Sequence, residues 1–339
     1  MSIKITVDKR TELLGILLLI SDYKKNYAFL IEECGNKEYR QKIFDNFSKY
    51  QEDKSVKLLN QIFDELNFRY DAPVSLFLQL NDDFTYSKLD DYPFHTRLKS
   101  SPLVLEFLDS LPAFCDKINF EEYYNSNIEF YEKIINETKK KTNIDIVVDT
   151  LEKFYKLDIK NISFVLNLLP YTTNGNFGSN HDNIIYSNIG LKKNPKDLLT
   201  FITDNDCGSL LLHEFSHSII NPLTDKYSNI PNNAFSDIFE QMSKMAYGAS
   251  APIINEHVIR AIEVFYLKHI INTPDSITFA EMKLNRNREN GFKYIDLCLA
   301  NIKYYYENID KYENFEEFYP TLINELNNAT INNQKNIIN

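Results

Sequence analysis

Apolar side chains recur at helical spacing through most of the first 140 residues. Leu13, Leu14, Ile16, Leu17 and Ile20 follow one helical period, as do Leu58, Leu59, Ile62, Phe63 and Leu66. Val104, Leu105, Phe107, Leu108 and Leu111 make a third apolar face, and Pro112 predicts its end. Residues 123–141 predict one long helix with a polar face, closed by Lys139, Lys140 and Lys141, which suit a helix C-terminus. Past residue 141 the pattern changes. Residues 145–149 form a short buried run. Residues 162–169 are rich in β-branched and aromatic side chains and stop at Pro170; a turn-rich stretch follows, and 183–190 predicts another strand. Helical spacing returns from Leu198. A small sheet followed by helices predicts an α+β, predominantly helical fold. We divide it into a helical N-terminal region (1–140), a second region (141–326) that holds the sheet, and a frayed tail (327–339) without aromatics or periodicity.

Composition narrows the function classes. Apolar residues make up 43% and charged residues 25%, which excludes a disordered chain. With 22 Tyr and 24 Phe the chain can fill a sizeable core. Only 8 Gly are present, and neither of the Gly-rich phosphate-binding motifs occurs. A net charge of −11 argues against nucleic acid as a partner, because phosphate binding wants clustered Lys and Arg. Cys34, Cys115, Cys207 and Cys298 lie far apart with no C-x-x-C pair, so we expect free, buried thiols. The apolar run from Leu13 to Ile20 is too short to cross a bilayer. It follows Asp8, Lys9, Arg10 and Glu12, and no small-residue cleavage site comes after it. We therefore expect no membrane partner, no signal peptide and a cytoplasmic location.

One segment carries chemistry. Residues 209–222 contain His213-Glu214-x-x-His217, an H-E-x-x-H motif. On a helix, positions i and i+4 share a face, so both imidazoles can reach one zinc ion. Glu214, next to the first His, is then placed to take a proton from water. Leu210, Leu211, Leu212, Phe215, Ile219 and Ile220 make this a buried helix, and Asn221-Pro222 predicts its end. Two imidazoles and a carboxylate on an apolar helix are costly without partners, and a metal is the natural one; a hydrogen-bonded pair of core histidines is the bland alternative.

A catalytic zinc has three protein ligands and a water. Downstream, Pro252 opens a second helix on which Glu256, Arg260 and Glu263 share a face. Glu256 is the best third ligand, with Arg260 one turn on to hold its carboxylate. Asp237, Glu240 and His257 remain competitors. Tyr247, Tyr171 and His181 are candidates to stabilise an oxyanion, and Asn221 lies where it can bond a ligand or Glu214.

The run His213 to His217, Asn221-Pro222, Ala246-Tyr247-Gly248 and the 255–262 segment (N-E-H-x-x-R-A-I) resembles an uncharacterised bacterial domain family of gluzincin-like zinc metallopeptidases. The Glu12-Leu13-Leu14 and 68–73 regions are similar in layout. The resemblance implies a zincin-like catalytic domain with one zinc ion on His213, His217 and Glu256, Glu214 as general base, and a peptide or protein substrate. A different class remains open: a non-catalytic helical interaction protein whose zinc site is structural or inactive.

Overall fold

The computed structural model describes residues 2–23, 37–66, 68, 71–87, 89, 101–156, 161–170, 176–190, 204–227 and 234–338. The fold is α+β and predominantly helical, with one four-stranded mixed sheet. The chain separates into two compact units, Ser2–Thr142 with Asn161–Thr203, and Asn143–Lys160 with Asp204–Asn339.

The first unit holds the sheet. Its strands are β1 (Ser2–Thr6), β2 (Asn161–Asn167), β3 (Phe177–His181) and β4 (Ile184–Gly190), in the order β1-β2-β4-β3. β1 and β4 run parallel to β2, in registers Ile5↔Phe164 and Phe164↔Ser187, and β3 pairs antiparallel with β4. Six consecutive residues of β2 are buried, as expected of a central parallel strand covered on both faces. Among the described residues the helices of this unit are α1 (Lys9–Ile20), α2 (Lys37–Phe47), α3 (Lys54–Leu66), α4 (Ala72–Phe77), α5 (Pro102–Ile118), α6 (Phe120–Ser126) and α7 (Ile128–Lys141). α1 is buried almost throughout. Asp8 caps it by accepting from the Arg10 backbone N–H, and the Arg10 guanidinium donates to the carbonyls of Leu78 and Leu80 at 2.7 and 3.1 Å. Gly15 in α1 lies so close to Leu169 that a Cβ there would meet the Leu169 Cβ at 2.4 Å.

The sheet expected in the 141–326 region thus belongs with the N-terminal helices. The reason is β1: its five residues pair in parallel with β2 and tie the later strands to the start of the chain. Two further expectations differ here. Pro112 does not close its helix, because buried Phe114, Cys115 and Ile118 continue the apolar face of α5 beyond it. The helix expected at 123–141 starts earlier, at Phe120, and breaks at Asn127, whose side-chain amide donates to the Tyr123 carbonyl at 2.7 Å.

Among the described residues the second unit has only helices: α8 (Ile144–Tyr155), α9 (Asp204–Tyr227), α10 (Phe239–Lys244), α11 (Ser250–Phe265), α12 (Pro274–Glu289), α13 (Ile295–Glu307) and α14 (Phe315–Ile338). α11 is its centre, packed against α9, α12 and α13, with every residue from Ile253 to Phe265 buried except Arg260. A π-helical turn, Tyr266–Ile271, prolongs it. The Thr224 hydroxyl of α9 bonds Asn255 of α11 and Tyr319 of α14, which locks three helices around one buried polar point.

Three expectations change in this unit. The run expected to be buried at 145–149 is a turn of an amphipathic helix in which only Val147 of the five is buried: Ile144, Val147, Leu151 and Phe154 make the buried face at helical spacing. Pro222 lies inside α9, because Leu223 and Thr224 are buried beyond it. The expected tail is helical to Ile338, anchored at its start by buried Leu326 and Thr330. Cys115, Cys207 and Cys298 are buried and outside any disulfide; Cys34 lies outside the described residues. No helix among the described residues is long and apolar enough to cross a membrane.

Candidate metal centre

α9 places His213, His217 and Asn221 at successive turns of one face. The rings of His213 and His217 stand at 72° to each other, and their Nε2 atoms are 3.2 Å apart. Across from them, α11 contributes Glu256, whose Oε1 lies 3.4 Å from His217 Nε2 and 3.9 Å from His213 Nε2. These are the three residues that sequence spacing selects, and among the described residues they form the one group of three or more ligand-type side chains close enough to hold a metal.

The far side of each imidazole is also engaged. His213 Nδ1 is 3.2 Å from Glu263 Oε2, and His217 Nδ1 is 3.2 Å from the Asn221 side-chain oxygen. Both partners are acceptors, so each imidazole, when neutral, carries its proton on Nδ1 and turns its Nε2 lone pair inward. With both histidines neutral, two lone pairs and a carboxylate oxygen face one point, and what they share there is a cation: a proton held on His217 by Glu256 in the metal-free site, or a metal ion in its place. A tetrahedral zinc ion with ligands at about 2.0–2.1 Å spaces neighbouring donor atoms by about 3.3 Å. The separations of 3.2 and 3.4 Å match, and 3.9 Å is slightly wide. The residues fit the ion.

The electrostatics favour positive charge at this point. Burial pushes the Glu256 carboxyl up, but Arg260, His217 and His213 outweigh it and hold the group well below the usual carboxylate range. Burial likewise opposes a charged His217, yet the Glu256 hydrogen bond and charge raise it to about 9. Glu263 is pushed up by burial and brought down more strongly by Lys283 and His213, so it too is ionised. Glu214 is buried in the next position of α9; burial raises its pKa, against the lowering fields of His213 and His217.

Arg260 pairs with Glu256 Oε2 at 2.9 Å, as its position one turn along predicts. It stacks on Phe292 at 4.6 Å and donates to Asn287 and to the Tyr247 hydroxyl, each at 3.4 Å. Tyr247 reaches this place from a turn that starts with Ala246 at φ 72°. Burial and the Glu256 charge push its hydroxyl up to about 12, so it remains a proton donor at neutral pH.

The competing ligands are engaged elsewhere. Asp237 accepts from Lys293 and Tyr294 at 2.7 and 2.9 Å, Glu240 pairs with Lys244 on the surface, and His257 bonds the Ile253 carbonyl at 2.7 Å. His181 belongs to β3 of the other unit, beside Asp182, and Tyr171 lies outside the described residues. Sequence reasoning put Glu263 on the right face without giving it a role. It did not find Lys283, whose Nζ lies 2.7 Å from Glu263 Oε1; nothing in the local pattern of α12 marks that residue.

A family model described as Domain of unknown function (DUF4932) matches residues 3–325, so the chain belongs to that family. Searches of the curated proteins and of the solved structures found no match.

Proposed function

We propose that the helical unit is a zinc-dependent hydrolase, a metallopeptidase that cleaves peptide bonds with Glu214 as general base. The observation that carries this reading is the convergence of His213 Nε2, His217 Nε2 and Glu256 Oε1, with both Nδ1 atoms already spoken for. Three ligands leave a coordination position open, as catalytic zinc sites do, whereas structural sites close with four. His257 and Asp237, the residues best placed in sequence to supply a fourth, do not join that group of ligand atoms.

When bound, the ion supplies a Lewis acid and an acidified water. The chain does the rest. Glu214, adjacent to His213 and kept in a buried setting that raises its proton affinity, takes a proton at its carboxylate and returns it to the leaving amine. Tyr247, whose hydroxyl accepts from Arg260 and stays protonated beside Glu256, is the candidate to donate to the substrate oxygen as negative charge develops on it. Arg260 holds the Glu256 carboxylate in place.

The test is Glu214→Gln, assayed with wild type for zinc content and for cleavage of a broad peptide library, with and without a chelator. The expected result is one zinc in both proteins and chelator-sensitive cleavage in wild type alone. Equal cleavage by the variant overturns the role of Glu214, and zinc without cleavage in either protein favours a non-catalytic site.

A further inference from the structure

We infer that Lys283 is a positioning residue for the metal centre, acting through Glu263 to fix which nitrogen of His213 faces the ligand site. The inference deepens the proposed function and rests on it. Glu263 is 3% exposed and uses both carboxylate oxygens: Oε2 meets His213 Nδ1 at 3.2 Å and Oε1 meets Lys283 Nζ at 2.7 Å. The three groups come from three helices, α9, α11 and α12, and form one line from the metal ligand to the edge of the unit. Lys283 is the outer end, with its side chain 22% exposed and its ammonium 5.5 Å from the Phe279 ring of its own helix.

The geometry assigns the two ends different jobs. A carboxylate bonded at Oε2 alone can rotate about its terminal torsion, which is soft. The contact at Oε1 removes that freedom. With Lys283 in place, Oε2 stays opposite His213 Nδ1, the proton stays on Nδ1, and the Nε2 lone pair faces His217 and Glu256. Without it, Arg260, whose charge also acts on Glu263 from the same helix, competes for the carboxylate, and a turn toward Arg260 would take Oε2 off His213. Arg260 is already paired with Glu256. Losing Lys283 therefore disturbs two of the three ligands while leaving every ligand side chain present.

Three variants on the full chain test this: Lys283→Met, Lys283→Arg and Glu263→Gln. The first readout is zinc affinity by competition with a chromophoric chelator. The second is the ring-nitrogen NMR signature of His213 in the metal-free protein, which reports the tautomer directly. We expect Lys283→Met to weaken zinc binding by about 10-fold, within the range for supporting partners of metal ligands, and to lose the Nδ1–H signature. Lys283→Arg restores both. Glu263→Gln with Lys283→Met is no worse than Glu263→Gln alone, because both act through one contact. Should Lys283→Met not fold, Lys283→Gln takes its place. Unchanged affinity and tautomer in Lys283→Met overturn the inference while leaving the zinc site standing. A wild-type protein that binds no zinc overturns the proposed function instead, and the His213 tautomer still decides the role of Lys283.

Discussion

His213 and His217 turn their Nε2 atoms toward each other at 3.2 Å, and the Oε1 of Glu256 lies 3.4 Å from the second of them. Without the ion, the Glu256 charge holds a proton on His217; a divalent cation takes the place of that proton and gains all three groups as ligands. Metal binding should therefore stabilise the helical unit by linkage, by about 4 kcal/mol at a free zinc concentration 1,000 times the dissociation constant. Thermal melting with and without zinc measures it. His213→Ala and His217→Ala should each melt at the same temperature with or without the ion. A full zinc-induced rise in either variant sinks the ligand assignment.

Arg260 is the next pressure point, because Glu256 is buried and Arg260 is its counter-ion at 2.9 Å. Arg260→Ala leaves a buried carboxylate without its partner, and the metal-free protein should lose about 3 kcal/mol of stability. Arg260→Lys keeps the charge but gives up the contacts with Asn287 and Tyr247 and the stack on Phe292, so it should recover only part of the loss. Urea midpoints of the three metal-free proteins order them. A midpoint for Arg260→Ala equal to wild type would mean that the pair contributes nothing.

The centre of the site was readable in the chain because helical geometry is local: i, i+4 brings His213 to His217, and i, i+4, i+7 brings Glu256, Arg260 and Glu263 to one face. What joins them is not local. Lys283 reaches Glu263 from another helix, and no periodicity links residues 20 apart in this way. Short segments failed for a different reason. Five residues at 145–149 cannot separate a period of 2 from one of 3.6, and only Leu151 and Phe154 settle the matter. β1, with alternating Ile3 and Ile5, is a strand whose partner lies about 160 residues away. Pro112 and Pro222 predict stops, but buried side chains on both sides of each outweigh the one lost hydrogen bond.

Gly15 gives a prediction of opposite sign to its helix propensity. Replacing it with Ala in mid-helix would ordinarily stabilise α1 by about 1 kcal/mol. Here the new Cβ would lie 2.4 Å from the Leu169 Cβ, an atom fixed to the backbone that cannot swing aside, and 2.9 Å from Leu169 Cδ1. Overpacking costs about 1–3 kcal/mol and should win. Gly15→Ala is expected to lower the urea midpoint of the unit that holds the sheet. A raised midpoint would show that α1 and Leu169 can move apart freely.

Glu12 predicts a pH dependence in the same unit. Its carboxyl is fully buried in α1; Oε2 accepts from Tyr39 at 2.6 Å and Tyr131 at 3.4 Å, and Oε1 has no partner among the described residues. Burial pushes the pKa up to about 7, against the smaller lowering effect of the two hydroxyls. An acid whose folded pKa exceeds its unfolded value of 4.5 binds more protons when folded, so stability falls as pH rises from about 4.5 to about 7 and is level beyond. The integrated loss is about 3 kcal/mol. Glu12→Gln carries no such titration and should overtake wild type across that interval. Urea midpoints of both proteins between pH 4.5 and pH 8 measure the difference. Parallel curves would mean that Glu12 ionises as readily in the folded chain as in the unfolded one, and that its tyrosine partners stabilise the carboxylate enough to offset burial.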